Sequence, residues 1–150
     1  MKRKEFKIKI DATPHKVWDV LWSDKTYPEW TKVFSDGSHA KTDWQEGSKV
    51  LFLDGKGNGM VSRIRKKIDG HYMSFEHLGY VKDDEEILSG EEVEKWQGGQ
   101  ENYTLIQNDG KTELQIEMDI MEEYLDKFND TFPKALNEVK RISEINKQNQ

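Results

Sequence analysis

Between Met121 and Ile145 the apolar residues Met121, Leu125, Phe128, Phe132, Leu136, Val139 and Ile142 recur at steps of three and four. That spacing places them on one face of a helix. Glu122, Glu123, Asp126, Lys127, Lys134, Asn137, Glu138, Lys140 and Arg141 take the other sides. Each such apolar side chain gains roughly 1.5–3 kcal/mol on full burial, an upper bound because the unfolded chain is itself partly compact. The rest of the chain must therefore fold so as to cover this stripe. Pro133 lies inside it. A proline within a helix removes one backbone donor and crowds the preceding turn, at a cost of about 3 kcal/mol. Asp130 or Thr131 can cap a new helical start just before it. The expectation is a kink or break near 129–132, with the firmer helix from 133 to about 145, and with Phe128 and Phe132 beside the kink as a gate.

The segments available for covering the stripe read mostly as strands. Phe6, Ile8 and Ile10 alternate with Lys7 and Lys9, giving one core face and one wet face. Thr13 and Pro14 then supply an N-cap and a first helical residue. A helix follows to Trp22, carrying Val17, Trp18, Leu21 and Trp22 inward, and a second short helix runs toward Trp30. Residues 41–44 suggest a short strand, and 49–54 a longer one. Gly55, Gly57 and Gly59 crowd the loop before a strand over 60–68. Asp69-Gly70 is a two-residue hairpin signal leading into a strand over 71–80. Strands over 101–107 and 112–119 flank Asn108-Asp109-Gly110. Hairpin links imply an antiparallel sheet, and a twisted sheet with one wet face curls around the helix covering its dry face.

The chain of 150 residues suits a single domain spanning 1–150. The absence of Cys excludes disulfides, thiol nucleophiles and Cys-based zinc sites. A net charge of −6 disfavours nucleic acid and anionic membranes as partners. The basic start lacks the continuous apolar core of a signal peptide, and no run is long enough to span a bilayer. The expectation is a cytoplasmic protein. At 11% aromatic, with five Trp, the chain has the stock for a core or a cavity built from large flat side chains.

The element order, together with Ala12-Thr13-Pro14-His15-Lys16-Val17-Trp18, Leu21, Trp30, Trp44 with Gly47, and Gly59-Met60-Val61, resembles the START/SRPBCC superfamily. Further carriers are the run from His71 to Gly79, Glu101-Asn102-Tyr103-Thr104-Leu105, Thr112-Glu113-Leu114 and the terminal helix. Within the superfamily the sequence is most similar to the Aha-type group, homologues of the C-terminal domain of the heat-shock ATPase activator. The resemblance implies an α+β helix-grip fold. Its curved antiparallel sheet of about six to seven strands would wrap around the long C-terminal helix, with two short helices between strands 1 and 2. It also implies a deep cavity between sheet and helix, used by members to bind lipids, hormones or polyketides.

Trp30, Phe52, Phe75, Tyr103, Tyr124, Phe128 and Phe132 are the candidates for lining that cavity. Tyr103 and Tyr124 could supply polar groups among them, against the alternative that all simply fill the core. The glycine loop lacks the spacing and following helix of a phosphate cradle and reads as a hairpin. The four His residues lack metal-ligand spacing, and the acidic run over 83–94 lacks calcium-loop geometry and reads as a solvated loop. No cofactor or metal is expected. His77 is a possible general base, but no nucleophile, base and orienting group assemble on one face, so no catalytic residue is assigned. The reading that follows is a domain binding an apolar or amphipathic small molecule or a lipid. A stress-related co-chaperone-like module acting on a chaperone ATPase is the alternative, and a cyclase or hydrolase-type enzyme the third.

Overall fold

The computed structural model describes residues 1–148, with side chains to 145. The strands are β1 (Lys2–Ile10), β2 (His39–Lys41), β3 (Lys49–Leu53), β4 (Gly59–Ile68), β5 (Tyr72–Lys82), β6 (Glu85–Ile87), β7 (Gln100–Asn108) and β8 (Lys111–Ile120). All pair antiparallel in one sheet of order β1-β8-β7-β5-β4-β3-β2, with β6 added to β5. The helices are α1 (Pro14–Trp22), α2 (Tyr27–Thr31), α3 (Glu91–Glu94) and α4 (Leu125–Gln148), the last preceded by a 3₁₀ turn over Glu122–Tyr124. This is the helix-grip arrangement, with eight strands rather than six to seven.

The additional strand is β6; it and β2 have three residues each, too short to show a period of two. Two local expectations change with them. The strand expected over 41–44 lies at His39–Lys41 instead. Trp44 departs from strand geometry with φ of 60°, and its indole N–H donates to Asp24 at 3.1 Å. The acidic stretch is not a plain loop: it supplies β6 and the short α3, whose Val93 is fully buried.

Alternation dictates the core. In the β1–β8 pairing, Phe6 faces Ile116 and Ile8 faces Leu114. At its end the Thr112 hydroxyl donates to the Ala12 carbonyl at 2.7 Å, fixing the turn into α1. Thr13 caps α1 by accepting from the Lys16 N–H at 3.3 Å. Its buried Val17, Trp18, Leu21 and Trp22 face the sheet and α4.

The expected break near 129–132 is absent, for α4 runs as one helix through Pro133. Thr131 does not cap a new start; its hydroxyl donates back to the Lys127 carbonyl at 2.9 Å. The reason lies in packing. Phe132, Ala135, Leu136 and Val139 are buried, and Phe132 stacks on Phe6 with centroids 4.9 Å apart and packs against Phe34 at 5.2 Å. Pro133 itself points to solvent, and the carbonyl it deprives of a donor belongs to exposed Asn129, where water can serve. Several buried side chains together outweigh a cost of about 3 kcal/mol.

Candidate functional site

The helix α4 rests on β1, α1 and α2. Burial falls toward its start: Leu136, Val139 and Ile142 are buried, whereas Leu125 and Phe128 are only half-buried. There the sheet and the helix part around a cavity of about 830 Å³. That lies within the roughly 300–1,000 Å³ typical of small-molecule sites.

Six of the seven residues singled out from sequence are on its wall: Trp30, Phe52, Tyr103, Tyr124, Phe128 and Phe132. Tyr124 sits at the rim, 45% exposed on the 3₁₀ turn. Phe75 is the correction. It is fully buried behind the wall, its ring 5.1 Å from Phe52 and 6.2 Å from Tyr103. Trp22 from α1 lies against it at 5.2 Å and seals it into the core. Tyr27 on α2, packed 5.3 Å from Trp30, and Phe34 after α2 belong to the wall and were not anticipated.

The chemically distinctive group is Glu101, also unanticipated. It lies on β7 between Phe75 on β5 and Met118 on β8. Its accessible edge opens onto the cavity. The Tyr103 hydroxyl donates to Oε2 at 2.9 Å. Oε1 has no hydrogen-bond partner among the described residues, and no cation pairs with the carboxylate there. Burial pushes its pKa up to about 7, with the Tyr103 bond opposing the shift. Burial, and then the charge of Glu101, push the hydroxyls of Tyr27 and Tyr103 above the usual tyrosine range. The signal in the sequence was a carboxylate two residues before Tyr103 and four before Leu105. All three lie on the same inward-facing set of positions.

His77, also on the wall, is bound through Nδ1 to the Ser62 hydroxyl at 2.7 Å. Burial lowers its pKa to about 4, against the pull of Asp119 and Glu76, so it is neutral near pH 7. Ser62 is fully buried and inaccessible to a substrate, so the pair is not a nucleophile and its base. Among the described residues no His, Asp and Glu cluster is arranged for a metal. The glycine loop joins β3 and β4, and Asp54 fastens it by accepting from the N–H groups of Lys56 and Asn58 at 2.7 and 3.0 Å. These bonds lower the Asp54 pKa, that from Asn58 foremost. The basic start lies in β1, where Arg3 Nε donates to Asp119 at 2.8 Å. No helix among the described residues is long and apolar enough to cross a membrane.

Comparison with known proteins agrees with this architecture. The family profile "Activator of Hsp90 ATPase homolog 1-like protein" matches residues 11–140. The solution structure of the Aha1 dimer from Colwellia psychrerythraea superposes with a TM-score of 0.74 at 20% identity, covering 97% of this chain and 98% of that one. A protein from Cytophaga hutchinsonii gives 0.71 at 20% identity, covering 100% and 98%. DynU16, from the dynemicin biosynthetic locus, gives 0.72 at 12% identity, covering 96% of this chain and 48% of that one. No match was found among curated proteins.

Proposed function

We propose that this chain, which belongs to the Activator of Hsp90 ATPase homolog 1-like family, binds an apolar or amphipathic small molecule between its sheet and α4. The observation that carries the reading is the cavity of about 830 Å³, walled by Tyr27, Trp30, Phe34, Phe52, Phe128 and Phe132. A wall of that kind gains free energy by covering apolar ligand surface, while a few polar groups set the ligand's orientation. Titration with the neutral dye N-phenyl-1-naphthylamine tests it. Saturable one-to-one dye fluorescence, lost when Ser38→Trp fills the wall, is the expected result. Unsaturable binding, or no binding by the native chain, would sink the reading.

The family match supports a second reading, a co-chaperone-like module that engages a chaperone ATPase in a stress response. Adding the purified chain to a purified Hsp90-type ATPase separates the two readings. A concentration-dependent rise in ATP hydrolysis supports the second, and an unchanged rate removes it.

A further inference from the structure

The cavity holds two polar groups that the protein itself leaves unsatisfied. One is Glu101 Oε1; the other is the hydroxyl of Tyr27, which is 93% buried by its 7% exposure and has no hydrogen-bond partner among the described residues. Tyr27 lies near enough to Glu101 to respond to its charge. A desolvated, half-partnered carboxylate without a cation is costly when ionised. It therefore points to a ligand that completes it.

The rest of the wall indicates the sign of that ligand. Asp54, Glu92, Glu101 and Asp119 are its carboxylates, Asp119 already paired with Arg3; Lys127 is its one lysine, and Met1 with the amino terminus also lies on the wall. His77 is held neutral by burial. The rings of Tyr27, Trp30, Phe52 and Tyr103 share the wall with Glu101, Trp30 and Phe52 packing 5.3 and 6.2 Å from Tyr27, and the negative faces of such rings attract cations. A fatty carboxylate would meet repulsion here. A neutral alcohol would leave the charge of Glu101 uncompensated.

We propose that the site takes a lipophilic amine, its ammonium donating to Glu101 Oε1 and to the Tyr27 oxygen while its apolar body lies against Phe34, Phe128 and Phe132. This rests on the cavity being a ligand site and adds the ligand's chemical class. The titratable groups facing Glu101 are Tyr103 on its own strand and Tyr27 from α2; the wall's other titratable side chains are Asp54 after β3, His77 and Tyr80 from β5, Glu92 from α3, Asp119 from β8, Tyr124 from the 3₁₀ turn and Lys127 from α4.

The test compares 4-phenylbutylamine, 4-phenylbutan-1-ol and 4-phenylbutanoate, which share one apolar body, by calorimetry on the full chain at about pH 8. The amine should bind about tenfold or more tighter than the alcohol, with the carboxylate weakest. In Glu101→Gln the amine-to-alcohol ratio should collapse to about one. Independently of any variant, amine binding by the native chain near pH 7 should release a proton, seen as an enthalpy that depends on the buffer's ionisation heat. An alcohol or carboxylate that binds as tightly as the amine, or a preference that survives Glu101→Gln, overturns the amine assignment and leaves the cavity reading standing. Failure of all three to bind removes both.

Discussion

Two half-buried, desolvated titratable residues work against each other in this fold. Glu101 has its pKa raised by burial from 4.5 to about 7, so the folded state holds its proton longer than the unfolded state does. As pH rises from about 4.5 to about 7 the unfolded chain ionises first, and the fold loses about 3 kcal/mol. His77 has its pKa lowered by burial from 6.5 to about 4. As pH falls from about 6.5 to about 4 the unfolded chain gains the proton first, and the fold again loses about 3 kcal/mol. The two slopes nearly cancel, so urea unfolding of the native chain should be almost flat between about pH 4.5 and 6.5. In Glu101→Gln stability should fall as the medium is acidified through that window; in His77→Gln it should fall as pH rises through it. Equal slopes in all three proteins would show that neither residue is desolvated as described. The sequence singles out His77 as a possible base, whereas Glu101 enters only at the start of a strand and among the residues that carry the family resemblance. The alternation over 101–105 held the clue: a carboxylate at an inward position. Its significance depends on Phe75, Met118 and Tyr27 closing around it, and those neighbours come from distant parts of the chain.

At the level of elements, α4 carries the fold and bears one local defect. Pro133 lies on the exposed side of a continuous helix, and Phe132 beside it is packed into the core. Pro133→Ala should restore a backbone bond to Asn129 and relieve crowding, raising stability by about 1–3 kcal/mol. For a chain of this size that is a melting temperature higher by several degrees, roughly 2–4 °C per kcal/mol. A lower melting temperature would mean that the proline's shape is needed in the native helix. Phe132→Ala should instead cost about 3–5 kcal/mol, because Phe6 and Phe34 lose the ring they pack against. The apolar stripe announced this helix, and the alternation of Leu114, Ile116 and Met118 announced β8. The break at Pro133 was overestimated because local propensity takes no account of rings brought from β1 and the loop after α2. β6 escaped, and β2 was expected too late in the chain, because three residues show no period and pairing with β5 and β3 alone makes them strands.

Across the whole molecule, one question lay beyond the sequence: whether the aromatic residues fill the interior or surround a space. A phenylalanine on a core-facing position serves either end. Phe52 and Phe75 have similar sequence surroundings, yet Phe52 lines the cavity and Phe75 lies sealed beneath Trp22. The difference arises from where α1 and α4 rest on the curved sheet. The five methionines report on this directly. Met60, Met118 and Met121 line the cavity, as does Met1, whereas Met73 is fully buried away from it. Titration of ¹³C-methyl-methionine-labelled protein with 4-phenylbutylamine should therefore shift the methyl signals of Met60, Met118 and Met121 saturably and leave that of Met73 in place. Unmoved signals from all three wall methionines at saturating amine, or a Met73 shift as large as theirs, would contradict a ligand seated between the sheet and α4.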